Sequence, residues 1–138
     1  MPHLVVGKPL APSHATITGA QERTHYWTAL MEDWGVTDRR QRFPGCNPVS
    51  ISRARLRDVR EAAYSVTLKS DGVRYILYLT VRPESTTENP LPVALMIDRS
   101  QTMYEVDVIA TEEIFTRRTI LEGELVWRQP EQTTLLFL

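Results

Sequence analysis

The stretch from Tyr64 to Thr80 constrains the fold most, because it contains two alternating patterns separated by a turn signal. Apolar residues occupy every second position from Tyr64 to Leu68, and the same spacing recurs from Tyr75 to Leu79. This period is typical of half-buried β-strands. Between the two runs lies Asp71-Gly72, a pair typical of tight turns, because glycine accepts positive φ and aspartate hydrogen-bonds nearby backbone. The pattern predicts a β-hairpin with Lys69 at the end of its first strand.

Lys69 is notable because lysine is rare in this chain. Lysine and arginine total 16 residues, and the only lysines are Lys8 and Lys69. Arginine cannot replace an amine nucleophile, since its guanidinium stays protonated. A lysine near other cations or in an apolar pocket loses its proton more readily and can attack phosphorus or carbon. From the position alone, two interpretations stay open: a solvated charge beside the turn, or a nucleophile.

Composition excludes several classes of function. The chain has 138 residues, of which 42% are hydrophobic and 24% charged, as expected for one globular domain. The net charge of -1 gives no overall attraction to nucleic acid or anionic membrane. One cysteine excludes an intrachain disulfide, and three scattered histidines with that cysteine argue against a zinc site. Without a membrane-length apolar run or a signal peptide, we expect no membrane partner and no secretion.

Residues 1–17 are predicted to form an extended lead-in, because prolines and a glycine interrupt regular structure. The region from 18 to 138 is then the folded domain. A helix is predicted near residues 19–34, since Thr18 to Gln21 has the spacing of a capping box and Gly35 supplies a C-terminal stop. Its apolar stripe comprises Trp27, Leu30, Met31 and Trp34.

A shorter helix is predicted near residues 52–62, with Leu56 and Val59 on an apolar stripe and its arginines mostly exposed. Further strands are predicted at residues 93–98, 103–108, 119–127 and 133–138, with a helical turn at 112–115. The sequence therefore predicts an α+β fold dominated by an antiparallel sheet.

Two carboxylates lie close together in the stretch Leu121-Glu122-Gly123-Glu124-Leu125. On a strand, Glu122 and Glu124 project from the same face. Carboxylates on an otherwise apolar strand are unfavourable unless they face water, a cation or a hydroxyl donor. The residues alone leave both a wet edge strand and a binding face open.

Three stretches together resemble the covalent nucleotidyltransferases, and among them the mRNA capping enzymes. The run Lys69-Ser70-Asp71-Gly72-Val73-Arg74 matches the KxDGxR motif of DNA ligases, RNA ligases and capping enzymes. Residues 121–125 look like the third motif of that superfamily, with Glu122 where Asp is usual. Residues 43–50, Phe-Pro-Gly-Cys-Asn-Pro-Val-Ser, resemble the FPGxxPVS stretch of mRNA guanylyltransferases, which ligases do not normally carry. Tyr75 and the run at 96–99 also look like capping enzymes.

The resemblance implies a reaction, a metal and a set of roles. Lys69 would attack the α-phosphorus of GTP, release pyrophosphate and hold GMP as a phosphoramidate, which then passes to the 5′-diphosphate end of nascent RNA. Mg²⁺ or Mn²⁺ would neutralise the phosphates. Arg74 and Glu124 would contact the ribose or help hold phosphate, with Glu124 also a possible metal ligand. The other implied nucleotide-binding residues are Thr67, Leu68, Asp71 and Gly72. The implied fold is an ATP-grasp-like nucleotidyltransferase domain.

The resemblance covers roughly residues 43–138 and lacks the later motifs of the family. Those motifs supply further lysines for the α-phosphate, and this chain has no lysine after Lys69. We therefore expect the N-terminal part of a nucleotidyltransferase domain, incomplete and without an OB-fold, and weak or no activity from it alone. A separate chain or a missing C-terminal part would carry the later motifs. The implied location is the nucleus, or a viral factory or virion if the protein is viral.

Two rival hypotheses come from different classes. An adenylation domain of an ATP-dependent DNA or RNA ligase shares KxDGxR, and the stretch at 43–50 argues against it. A non-catalytic remnant or split-enzyme subunit that binds RNA ends or a partner chain is the third hypothesis.

Overall fold

The computed structural model describes residues 16–36, 43–45, 50–65, 72–126 and 134–137. Within these ranges the helices are α1 (Ala20–Asp33), α2 (Leu56–Glu61) and α3 (Glu112–Thr116). The strands are β1 (Val73–Val81), β2 (Pro92–Ile97), β3 (Met103–Glu105), β4 (Thr119–Val126) and β5 (Thr134–Phe137). In this described part, no helix has the length and apolar character needed to cross a membrane.

The strands form one antiparallel sheet in the order β3-β2-β1-β4-β5. This arrangement confirms the predicted α+β class with a dominant antiparallel sheet. β1 lies at the centre, with β2 on one side and β4 on the other. The return strand predicted at 103–108 is shorter than expected, because the strand ends at Glu105.

The predicted hairpin around Asp71-Gly72 has the right second strand, β1, but the pairing expected for most of that strand is wrong. From Ile76 to Leu79, β1 is paired with β2 on one edge and with β4 on the other. No edge remains there for the run upstream of the turn. Tyr64 and Ser65 lie outside any strand, and residues 66–71 lie outside the described residues. The alternation identified β1 correctly, but it carried no information about the neighbours of that strand.

One face of the sheet packs against α1. Side chains from β1, β2 and β3 meet the buried Tyr26 and Leu30 of the helix; the strand residues are Ile76, Tyr78, Val93, Leu95, Ile97 and Met103. Alternation along the strands sends the intervening residues to the opposite face. There Tyr75, Leu77, Leu79, Ala94 and Met96 form a second cluster with Phe115 of α3. The sheet therefore has apolar contacts on both faces, which explains the continuous burial of its central strand.

Helix α1 confirms the predicted element near residues 19–34, but not its predicted N-terminal cap. Its N-cap is Gly19, and no side chain caps the first turn, so the expected capping role of Thr18 is wrong. Its C-terminal end follows the prediction: Gly35 has φ +71°, and the amide of Val36 donates to the carbonyl of Met31. Tyr26 is buried although the predicted stripe omitted it.

The segment containing α2 is exposed throughout. Leu56 is 48% exposed and Val59 37% exposed, so the predicted apolar stripe does not enter the core of the described residues. The arginines of this segment are exposed, as predicted. Arg57 forms an ion pair with Glu61 at 2.9 Å. A six-residue helix of this kind has few tertiary contacts to position it.

The lead-in joins the sheet earlier than its predicted end at residue 17. Thr16 forms an isolated bridge with Tyr104, and the amide of Ile17 donates to the carbonyl of Met103 at 3.0 Å. Ile17 is buried in the cluster beneath α1. Residues 16 and 17 are therefore part of the packed structure, whereas residues 1–15 lie outside the described ranges.

Candidate functional site

The motif residues meet at the start of β1, on the face that packs against α1. In the β1–β4 register, Arg74 lies opposite Glu124 and Ile76 lies opposite Glu122. Residues two positions apart on a strand share a face. Arg74, Glu122 and Glu124 are therefore on one surface, continuous with the apolar cluster that begins at Ile76. The prediction that both carboxylates share a face is confirmed.

Arg74 forms an ion pair with Glu122. The Arg74 side chain is 12% exposed and that of Glu122 28% exposed, so this pair is more shielded than a surface salt bridge. Neither Nε nor Nη2 of Arg74 makes a well-aligned hydrogen bond to any group in the described residues. Nη2 is the Arg74 atom that contacts Glu122, so Nε is the buried donor without an acceptor among the described residues.

Segment 43–45 lies directly over this ion pair. Pro44 is fully buried, and Phe43 packs against the cluster beneath α1. The guanidinium carbon of Arg74 lies 5.6 Å from the centroid of the Phe43 ring, within the range of a cation–π contact. A Cβ on Gly45 would lie 2.5 Å from Nη2 of Arg74 and 2.7 Å from Oε2 of Glu122. A larger residue there would have to displace the ends of these two side chains, and the φ of +106° itself favours glycine.

Glu124 is half-buried beside the pair and has an interaction of its own. Gly123, between the two glutamates, is buried on the opposite face and lies opposite Tyr75 in the register. The sequence resemblance implied a site role for Glu124 and none for Glu122. Parity alone could not choose between them, because both glutamates share the face of Arg74; the ion pair with Arg74 identifies Glu122.

The remaining predicted site residues fall partly outside the described structure. Thr67, Leu68, Lys69 and Asp71 lie outside the described residues. Gly72 is described, is exposed, and directly precedes β1. The structure thus brings together Arg74 and Glu124 of the predicted set, and adds Glu122, Phe43 and Gly45.

Tyr75 and Asp98, which also resemble capping-enzyme residues, have structural roles among the described residues. Burial raises the pKa of the Tyr75 hydroxyl, with smaller contributions from Tyr104 and Asp98. Tyr75 lies on the face away from Arg74, with its ring edge-to-face on Tyr104 at 6.3 Å. Asp98 accepts hydrogen bonds from the amides of Ser100 and Thr102 at 2.8 Å and 2.9 Å. These contacts close the β2–β3 turn.

A separate concavity lies at the other end of β1. It has a volume of about 630 Å³ and is lined by residues of α1 together with Arg82 and Arg118. Both arginines have carboxylate partners: Arg82 contacts Glu105, and Arg118 contacts Asp33 at 2.8 Å. Because these charges are already paired, the concavity offers little to an anionic ligand.

A metal would find few protein ligands in the described part of the chain. No cluster of three or more histidine, cysteine, aspartate or glutamate side chains occurs among the described residues. Mg²⁺ commonly uses only one or two carboxylates and completes its shell with water and substrate phosphates. Glu122 and Glu124 are the two carboxylates of this face of β4.

Comparison with known proteins supports the resemblance over nearly the whole chain. The family model described as mRNA capping enzyme, catalytic domain, matches residues 13–137. The chain is 38% identical over 91 residues to an mRNA-capping enzyme subunit alpha of Neurospora crassa, covering 61% of this chain and 21% of that protein. For the Schizosaccharomyces pombe protein of the same name, identity is 35% over 91 residues, with 61% and 22% covered.

A vertebrate protein is also similar. An mRNA-capping enzyme of Danio rerio is 29% identical over 87 residues, covering 63% of this chain and 14% of that protein. The chain spans about a fifth of the length of the two fungal relatives. The family match includes segment 43–45, Arg74 and both glutamates of the candidate site. The chain therefore belongs to the mRNA capping enzyme family and corresponds to part of its catalytic domain.

Proposed function

We propose that this chain provides the nucleophile-bearing part of an mRNA guanylyltransferase. The reaction transfers GMP from GTP, through a lysyl-GMP intermediate, to the 5′-diphosphate end of RNA. The observation that supports this best is the β1–β4 register, which gathers Arg74, Glu122 and Glu124 on one face two residues beyond Gly72. We further propose that the fold is that of an ATP-grasp-like nucleotidyltransferase domain. The proposed location of the protein is the nucleus.

Lys69 is the proposed nucleophile. Its amine, once deprotonated, forms a nitrogen–phosphorus bond to the α-phosphate of GTP, and the bond to pyrophosphate breaks. The 5′-diphosphate of RNA then takes the GMP and frees the amine. A positive charge close to an amine lowers its pKa, and Arg74, five residues further along the chain, is a candidate for that role.

The other proposed roles follow from charge and position. Arg74 donates to the ribose or phosphate oxygens of the nucleotide. Glu124 accepts from a ribose hydroxyl or holds the metal. Asp71 shapes the turn that orients Lys69, and Gly72 leaves the backbone without a Cβ where the nucleotide passes. Thr67 and Leu68 complete the proposed nucleotide contacts.

The residues present suit a metal carried mainly by the nucleotide phosphates. Glu124 would contribute one carboxylate ligand, and the bound Mg²⁺ or Mn²⁺ would neutralise the negative charge of the phosphates. Substrates and partners are therefore GTP, a divalent metal and the 5′ end of RNA. Because the match covers only about a fifth of each fungal relative, a second polypeptide or a further part of the protein is proposed to carry the later motifs.

The test is covalent labelling of the chain with α-labelled GTP in the presence of Mg²⁺. We expect weak labelling of the wild type and none of Lys69→Ala. Because Lys8 is the only other lysine, Lys8→Ala is the matched control and should retain the label. Equal labelling of wild type and Lys69→Ala would refute the nucleophile assignment.

The same assay separates the rival functions. Preferential labelling from ATP would indicate a ligase adenylation domain. Absence of label from a folded chain that binds a separate polypeptide carrying the later motifs would support a non-catalytic or split-enzyme role. Restoration of label when that polypeptide is added would favour the split enzyme over the remnant.

A further inference from the structure

We propose that segment 43–45 acts as a positioning element that fixes the guanidinium of Arg74 against Glu122 before the nucleotide binds. The inference rests on the proposed function, since it assigns Arg74 to the nucleotide site. Gly45 and Phe43 do not contact the substrate in this proposal. They act through Arg74.

The Arg74 guanidinium has contacts on two sides. The ring of Phe43 lies 5.6 Å from its central carbon, and Glu122 is its ion-pair partner. A free arginine side chain has several rotatable bonds and loses rotamer entropy when it is ordered. Contacts on two sides order the side chain in advance, so a ligand binding to it loses less entropy.

Gly45 determines whether these two contacts can coexist. A Cβ at this position would lie 2.5 Å from Nη2 of Arg74 and 2.7 Å from Oε2 of Glu122. Both distances are shorter than any normal contact of a Cβ atom, so a methyl group would have to displace one or both side chains. The buried Pro44 holds the segment in place. Displacement of the charged pair is therefore the easier response to a larger residue.

The consequence for nucleotide binding follows from the small exposed part of Arg74. Nε and Nη2 are buried, and the side chain as a whole is 12% exposed. A nucleotide oxygen would reach that exposed part in a fixed direction only if the guanidinium stays where segment 43–45 and Glu122 hold it. Preorganised donors of this kind strengthen binding without reorganisation on arrival of the ligand.

The first experiment measures the position of Arg74 directly, without activity. Arginine Nε–Hε signals are recorded by NMR on the ¹⁵N-labelled chain, and the Arg74 signal is assigned by its loss in Arg74→Lys. We expect the wild-type signal to be displaced from those of exposed arginines and to return toward them in Gly45→Ala. Gly35→Ala is the matched control, because Gly35 also has positive φ, +71°, but has nothing within 4 Å of its Cβ position.

The second experiment measures the GTP concentration that gives half-maximal labelling of the chain. Loss of one charge-assisted hydrogen bond should raise this half-maximal GTP concentration by about 10-fold or more. We expect that rise for Gly45→Ala and a change below about 2-fold for Gly35→Ala. In an Arg74→Ala background, Gly45→Ala should cause no additional rise, because a positioning residue has no effect once its target is absent.

The outcomes separate the two proposals. An unchanged Arg74 signal in Gly45→Ala would overturn the positioning role, and so would an equal effect of Gly45→Ala with and without Arg74. If the wild type takes no label either alone or with a polypeptide that carries the later motifs, the guanylyltransferase proposal fails for this chain. The NMR comparison of Gly45→Ala with Gly35→Ala then decides the positioning of Arg74 on its own.

Discussion

Tyr78→Phe tests whether a buried polar connection ties α1 to the sheet. Tyr78 is fully buried, and its hydroxyl donates to Oδ2 of Asp33 at 2.6 Å. Oδ1 of the same carboxylate contacts Arg118 at 2.8 Å. The hydroxyl therefore joins the centre of β1 to the last residue of α1 and to the α3–β4 turn. Its removal deletes a hydrogen bond to a charged acceptor while the ring keeps its packing.

A hydrogen bond to a charged group contributes about 1.5–3 kcal/mol to stability. We therefore expect Tyr78→Phe to lower the free energy of unfolding by about 2 kcal/mol. With a urea m-value of about 1.5 kcal/mol/M, the midpoint should fall by about 1.3 M. Equilibrium urea unfolding followed by tryptophan fluorescence measures this change.

Tyr104→Phe is the matched control. The Tyr104 hydroxyl is 3.5 Å from Oδ2 of Asp98, a distance at which a hydrogen bond is weak, and the residue is half-buried. Its loss should change the free energy of unfolding by about 0.5 kcal/mol or less. Equal midpoints for Tyr78→Phe and the wild type would refute the energetic role of the Asp33 contact.

The same substitution has a pH signature. Burial, followed by the hydrogen bond to Asp33, raises the pKa of Tyr78 to about 12. A folded-state pKa above the unfolded value of 10 stabilises the folded state fully below pH 10, and this contribution is lost as the pH rises toward 12. The loss is about 2–3 kcal/mol for a shift of this size. Tyr78→Phe should therefore be less sensitive to alkaline pH than the wild type.

Three further predictions concern stability. Leu95→Ala should lower the free energy of unfolding by about 2–5 kcal/mol in urea titrations, because Leu95 is fully buried in the cluster beneath α1; a loss below 1 kcal/mol would contradict that packing. Burial and then Glu22 raise the pKa of Tyr26 to about 12, so Tyr26→Phe should also reduce the loss of stability between pH 10 and 12. Glu113→Ala should change the urea midpoint little, since its ion pair with Arg117 is exposed on both sides; a large shift would indicate an unrecognised role for α3.

Much of the local structure was predictable from the sequence. The spacing of apolar residues predicted α1 and the central strand, and Gly35 marked the end of the helix. Parity predicted that Glu122 and Glu124 share a face. These features depend on backbone geometry, in which side chains repeat every 3.6 residues in a helix and every two in a strand. A short sequence window contains that information.

The contacts between distant segments were not predictable in the same way. The alternation that identified β1 could not show that β2 and β4 occupy both of its edges. The predicted stripe on α1 omitted Tyr26, because tyrosine is intermediate in burial between typical core and typical surface residues. The apolar side chains of the predicted stripe on α2 are exposed in the structure. In each case the missing information was the identity of the neighbouring segment.

The candidate site shows the same division. The motif residues, the family resemblance and the common face of the carboxylates follow from the amino-acid sequence alone. The pairing of Arg74 with Glu122, and the position of Phe43 and Gly45 over that pair, depend on the three-dimensional packing. Periodicity follows from bonds within one segment, whereas an ion pair covered by a remote glycine depends on how three segments pack in space.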